Sequence, residues 1–155
     1  MKTIAELIAE HAFFEGLAES ELTFLAGCAK NVHFDAGTRI LAEGDEANTF
    51  YVIRTGKVAL GYFQPERGNV VIETLRGGDV LGWSWLFEPY RWHFDADAAE
   101  PVSAMAFDGA CLRSKCETDP RLCYQMTQRF AKVMMERLQA TRLRLLDIYG
   151  PPGSR

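Results

Sequence analysis

The run Phe50-Tyr51-Val52-Ile53-Arg54-Thr55-Gly56-Lys57-Val58-Ala59-Leu60-Gly61-Tyr62-Phe63 decides the fold. Val58, Leu60 and Tyr62 alternate with Ala59 and Gly61, the period of two that marks a half-buried strand. Gly56 divides the run into two strand-like halves, Phe50–Ile53 and Lys57–Phe63. Outward in both directions the same texture recurs. Arg39-Ile40-Leu41, Asn69 to Leu75, Val80-Leu81 and Val102 to Phe107 are short apolar segments, separated by Ala36-Gly37, Glu43-Gly44-Asp45, Pro65-Glu66-Arg67-Gly68 and Gly77-Gly78-Asp79. Short strands at this spacing with glycine turns predict a jelly-roll barrel (a double-stranded β-helix) over residues 32–107.

Helices are expected on either side. Before residue 32, Thr3-x-x-Glu6 fits a capping box, and Ile4, Leu7, Ile8, His11 and Phe14 fall at helical spacing until Gly16 interrupts. Ser20 is the expected cap of a second helix carrying Leu22, Phe24 and Leu25. After the roll, Asp108 opens a helical region, and Asp119-Pro120 restarts it with an N-cap and a first-turn proline. From there the pattern is unbroken to Tyr149, where Gly150-Pro151-Pro152-Gly153 ends it. At ~1.5 Å per residue such a helix is roughly 40 Å long, more than a domain of this size needs. Thr127, Ala131, Met134, Leu138, Thr141, Leu145 and Ile148 alternate by four and three, an a/d seam, while Met126, Phe130 and Val133 form a second stripe. Two apolar faces predict that one packs on the barrel and the other on a second copy, with Met134, Leu138, Thr141, Leu145 and Ile148 at the interface. Arg137, Arg142 and Arg144 read as a solvated face near the helix C-terminus.

With 155 residues the chain suits one domain, residues 1–155, organised as N-terminal helices (1–31), β-roll (32–107) and C-terminal helices (108–149). The net charge of -4 speaks against a broad nucleic-acid surface. No apolar run is long enough to cross a bilayer, and the opening Met1-Lys2-Thr3-Ile4-Ala5-Glu6 carries an acid where a signal peptide needs an apolar core. A cytoplasmic protein is expected. The three histidines are scattered and the four cysteines, Cys28, Cys111, Cys116 and Cys123, contain no CxxC spacing, so no metal centre is expected. The cysteines read as buried free thiols, with a disulfide disfavoured in a reducing compartment. No serine or cysteine nucleophile has a recognisable base, so the chain does not read as an enzyme.

All three tryptophans fall in Gly82-Trp83-Ser84-Trp85-Leu86-Phe87 and Tyr90-Arg91-Trp92-His93. Large aromatics between glycine turns point to a pocket, because an indole is costly to leave in water.

Taken together, Phe34-Asp35-Ala36-Gly37, Glu43-Gly44-Asp45-Glu46-Ala47, Phe50-Tyr51-Val52-Ile53-x-x-Gly56-x-Val58 and Gly78-Asp79-Val80-Leu81-Gly82 resemble the ordered glycine turns of the cyclic nucleotide-binding domain. Arg137-Leu138-Gln139-Ala140-Thr141 is similar to the dimer helix of its Crp/Fnr group. The resemblance covers about Phe13 to Tyr149 and implies a phosphate-binding cassette at 78–97. In that family backbone N–H groups at a short helix and an arginine bind the cyclic phosphate, and a glutamate after the cassette glycine accepts from the ribose hydroxyl. Here Trp83 stands at the glutamate position and Tyr90 at the arginine position, with Arg91 one residue away. The resemblance therefore implies a divergent cassette with Gly82, Trp83, Ser84, Trp85, Leu86, Arg91, Trp92, His93 and Thr141 as candidate ligand-binding residues. The ligand is expected to be a cyclic nucleotide (cyclic AMP or cyclic GMP) or another small anion with an apolar body.

In transcription factors of this group a helix-turn-helix follows the dimer helix, whereas this chain stops five residues after Gly150. The expectation is a stand-alone dimeric sensor that acts through a protein partner rather than on DNA. The alternative is a dimeric interaction scaffold that has lost nucleotide binding.

Overall fold

The computed structural model describes residues 2–149, with side chains to Ile148; the Gly150–Gly153 terminator predicted above lies outside them. Eight antiparallel strands form two four-stranded sheets: β1 (Ala29–Phe34), β2 (Arg39–Leu41), β3 (Thr49–Thr55), β4 (Lys57–Gln64), β5 (Gly68–Arg76), β6 (Val80–Leu81), β7 (Asp95–Ala98) and β8 (Val102–Asp108). One sheet has the order β1-β8-β3-β6 and the other β2-β7-β4-β5, the non-sequential orders of a rolled sandwich. Two helices precede the roll, α1 (Ile4–Glu10) and α2 (Glu19–Gly27), and two follow it, α3 (Gly109–Thr118) and α4 (Pro120–Tyr149).

Alternation along β3 and β8 divides the interior in two. Phe50 and Val52 of β3, with Met105 and Phe107 of β8, face a core shared with the helices, which supply Ile8, Phe14, Leu25, Leu112, Met126 and Phe130. Ile53 of β3, with Val102 and Ala104 of β8, faces the inside of the roll against Leu41, Val58, Leu60, Leu75 and Trp92. Successive residues of a strand serve opposite faces, so one sheet can carry both cores. The β4–β5 hairpin closes the second sheet, with a register shift at Leu60/Gly61. A side chain on Gly61 would meet the Val70 carbonyl oxygen at 2.1 Å, so only glycine lets the two backbones approach there.

Several local expectations shift. Thr3 caps α1, accepting from the Glu6 N–H at 3.2 Å, but the helix ends at Glu10 and continues as a 3₁₀ turn over Ala12–Phe14. His11 has turned to extended backbone there and caps that turn, its Nδ1 accepting from the Phe13 N–H at 3.1 Å. The second helix starts before Ser20, with Ala18 as N-cap, because Glu21 reaches back to accept from the Ala18 N–H at 2.9 Å. β1 begins at Ala29, inside the span assigned to helices, where pairing with β8 captures Ala29, Lys30 and Asn31. Asp108 and Asp119 cap α3 and α4 as expected, accepting from the Cys111 and Leu122 N–H groups.

His11 gives the fold a pH dependence. Burial pulls its pKa below the ordinary 6.5, with Asp79 opposing, and its Nε2 is buried without a partner. The folded chain thus holds fewer protons at this site than the unfolded one, and stability falls as pH drops through 6.5 toward the lower folded value. His11→Asn keeps a cap acceptor and cannot titrate. Urea midpoints between pH 7 and pH 5 are expected to fall less in this variant than in the wild type.

Candidate functional site

The segment expected to form the cassette runs from β6 through a 3₁₀ turn over Ser84–Leu86 to the chain that returns to β7. Its far limb is held by the Glu43–Ala47 turn. The Gly44 N–H donates to the Trp92 carbonyl at 2.9 Å, the Trp92 N–H to Asp45 at 3.1 Å, and the Ala47 N–H to Tyr90 at 2.7 Å. Asp95, itself buried, anchors the same turn by accepting from the Glu43 N–H at 2.8 Å.

The structure separates the candidate residues into three groups. Trp85 and Trp92 are core side chains. Trp85 is fully buried, stacked on Phe50 at 5.1 Å and edge-on to Phe130 at 5.4 Å, with Leu86 half-buried beside it. Trp92 fills the roll interior beneath Gly82, where an added side chain would meet its ring at 2.7 Å; Gly82 also has φ +93°, which glycine alone adopts freely. Ser84 is buried in the 3₁₀ turn. Arg91 and His93 are exposed, and the Arg91 Nη1 reaches only the Gly44 carbonyl, at 3.4 Å. Trp83 is half-buried at the cassette entry, edge-on to Phe94 at 6.5 Å. Thr141 is exposed on α4, where its Oγ1 donates to the Arg137 carbonyl at 2.9 Å.

Two arginines outside the candidate ligand-binding set organise this region. Arg137 is not solvated: its side chain is only 12% exposed. Its guanidinium lies over the Trp83 ring at 4.9 Å, donates to the Val80 carbonyl and stands 3.9 Å from Glu73. Burial pulls its pKa down, while Glu73 and Asp79 push it up, and Nη1 is buried without a hydrogen-bond partner. The signal was present, since positions 126, 130, 133 and 137 continue one stripe of α4, the roll-facing one. Arg113 of α3 donates to the carbonyls of Trp85 (2.7 Å) and Ala47 (3.2 Å) and to Asn48 Oδ1 (2.7 Å). Its guanidinium lies 4.1 Å from the centre of the Tyr90 ring. No spacing in the sequence marked it.

Between α4 and the β5–β6 turn opens a cleft of about 920 Å³, lined by Glu73, Leu75, Asp79, Val80, Val133 and Arg137 among others. It is large enough for a nucleotide-sized molecule. No group of histidine, cysteine or carboxylate side chains among the described residues could hold a metal ion. No described helix is long and apolar enough to cross a membrane.

A two-sheet antiparallel roll flanked by N-terminal helices and a long C-terminal helix is the β-roll architecture of cyclic nucleotide-binding domains. The family model for the cyclic nucleotide-binding domain matches residues 31–119, and the chain belongs to that family. Over 143 residues it is 27% identical to a CRP-like cAMP-activated global transcriptional regulator of Mycobacterium tuberculosis, covering 92% of this chain and 62% of that protein. It is 32% identical over 112 residues to the human cGMP-dependent protein kinase 2, covering 69% of this chain and 13% of the kinase. The chain thus spans less than two thirds of the curated relatives it matches. A solved cyclic nucleotide-binding domain from Methylobacillus flagellatus KT shares the fold, with a TM-score of 0.77 at 19% identity over 94% of this chain and 82% of that one.

Proposed function

We propose that the chain is a dimeric regulatory domain that senses a small anionic ligand of the cyclic nucleotide class through a divergent cassette. The observation that carries this reading is the Arg137–Trp83 contact. It joins the cassette entry to the helix bearing the a/d seam, so a ligand entering beside Trp83 must displace or recruit Arg137 and thereby bias α4. Arg137 brings a buried cation with an unpartnered N–H to the cleft, and the Trp83 ring, which lies outside the cleft lining, packs under the same guanidinium. Within the candidate set above, the reading centres on Trp83 and adds Arg137, with Thr141 one turn further along α4.

Dimerisation is supported by the exposure of the seam. Leu138, Leu145 and Ile148 are 51%, 48% and 59% exposed in the single chain, while Met126 and Phe130 of the other stripe are fully buried. Leu143 and Leu146 extend the exposed apolar surface of the same helical segment. A signal read at α4 would pass to a protein partner.

Trp83 lacks the acceptor that a ribose hydroxyl requires, which costs about 1.5–3 kcal/mol, or roughly ten- to a hundredfold in affinity. Calorimetric titration with cyclic AMP and cyclic GMP tests this. Weak binding by the wild type and tighter binding by Trp83→Glu, by about that factor, is the expected pair of results. One observation favours the scaffold alternative: the Trp92 ring fills the space under Gly82. No heat from either nucleotide with either protein would favour that reading.

A further inference from the structure

All four cysteines are free thiols, and each is half-buried rather than enclosed in a core. Two of them meet. Cys28, at the end of α2, has its Sγ 3.2 Å from that of Cys111 in the first turn of α3. Asp108 ties the two backbones together: its N–H donates to the Cys28 carbonyl at 2.9 Å, and its carboxylate accepts from the Cys111 N–H at 3.0 Å. Cys28 leads directly into β1, which pairs with β8, and β8 leads into α3. The end of a sheet and the start of a helix therefore place the two sulfurs.

The distance between the sulfurs selects what the pair can hold. Bonds from thiolate sulfur to a soft centre are about 2.3 Å long. Two such bonds set the sulfurs about 4.6 Å apart at a linear centre and about 3.8 Å apart at a tetrahedral one. At the near-right angle of a pyramidal trivalent centre with a lone pair, the separation is about 3.3 Å. Only this last value matches the observed 3.2 Å. A tetrahedral ion also needs further ligands, and no set of three histidine, cysteine or carboxylate side chains among the described residues could hold one.

We propose that Cys28 and Cys111 form a binding site for trivalent arsenicals carrying one organic group, which need two sulfurs and no third protein ligand. The step is a condensation. With phenylarsine oxide, two As–S bonds form, the bonding between arsenic and oxygen is lost, and the oxygen leaves with both thiol protons as one water. Arsenic stays trivalent and neither sulfur is oxidised, so no other reactant is required. Burial, the partner Cys111 and the Asp108 carboxylate push the Cys28 thiol up to about 12. Scarce thiolate slows oxidation of this pair, but it does not oppose a condensation that consumes thiol protons. Half-burial leaves both residues within reach of a small molecule from solvent.

The full chain is mixed with one equivalent of phenylarsine oxide and followed by intact-mass spectrometry. The expected product carries one phenylarsenic group per chain, with Cys28 and Cys111 blocked to iodoacetamide and Cys116 and Cys123 open. Excess 2-mercaptoethanol is expected to leave the adduct in place and 2,3-dimercaptopropanol to strip it, the signature of binding by two sulfurs. Tm is expected to rise by about 5 °C, because the ligand favours the folded arrangement of the pair. Cys111→Ser keeps a side chain of similar size and should weaken binding at least about a hundredfold, since the second sulfur no longer acts at high effective concentration. Cys116→Ser, the matching control, is expected to bind as the wild type does. An adduct on Cys116 and Cys123, one that 2-mercaptoethanol removes, equal affinity in Cys111→Ser, or no adduct at all would overturn the proposal.

Discussion

Trp85→Ala is expected to lose about 3–5 kcal/mol of folding stability in urea unfolding, the range for deleting a large buried aromatic. Trp85 is the hub of the helical core. It stacks on Phe50 at an interplanar angle of 21° and meets Phe130 at 74°, and its Cβ packs against Gly109. One side chain thus joins β3, the cassette, α3 and α4, and its removal leaves a void that four elements must share. Domains of this kind have only about 5–15 kcal/mol in total, so the variant is near the limit of folding. Trp85→Phe is the discriminating control. The indole Nε1 is buried with no partner, so losing it relieves an unsatisfied donor and offsets part of the lost packing. A loss for Trp85→Phe as large as for Trp85→Ala would contradict the assignment of this residue to packing.

The second large effect concerns association. Leu138→Glu with Leu145→Glu places two carboxylates per chain on the seam, four in a symmetric pair. Each change removes apolar burial of about 1.5–3 kcal/mol and asks a charge to leave water. Sedimentation equilibrium is expected to show the dimer dissociation constant raised by at least about a thousandfold. Both residues are about half exposed in the single chain, so its thermal unfolding, measured at concentrations where wild type and variant are both monomeric, should barely change. A variant that remains dimeric would remove the seam from the account.

Much of the roll was legible because its strands follow the rule that sequence reading relies on. β2 and β6 match their apolar segments, and β3, β4, β5 and β8 extend them by one to three residues. β7 escaped notice. Asp95-Ala96-Asp97-Ala98 has small apolar residues and two acids, poor strand formers by composition. It is nonetheless paired on both sides, by β2 and β4. Arg39 makes this possible by reaching Asp97 at 2.8 Å and Asp95 at 3.4 Å, a partnership across more than fifty positions that no local pattern displays.

The surroundings of the candidate residues were not legible. Clustered tryptophans drew attention to the chain between β6 and β7. Periodicity could not say that Trp85 and Trp92 belong to different cores on opposite sides of the same sheet, since neither lies on a strand or an α-helix. Arg91 drew attention by adjacency to the family position, whereas the cation buried at the cassette entry, Arg137, comes from α4. Side-chain reach across a tertiary interface decided that, and long arginine stems cover such distances readily.

On the function proposed above, ligand binding passes through Arg137. Calorimetric titration of cyclic AMP into the wild type and Arg137→Ala measures this directly. Weak binding in the wild type that falls at least about tenfold in the variant, the loss of one charge-assisted contact, is the predicted result. Equal affinity in the two proteins, or no binding by the wild type, would contradict it.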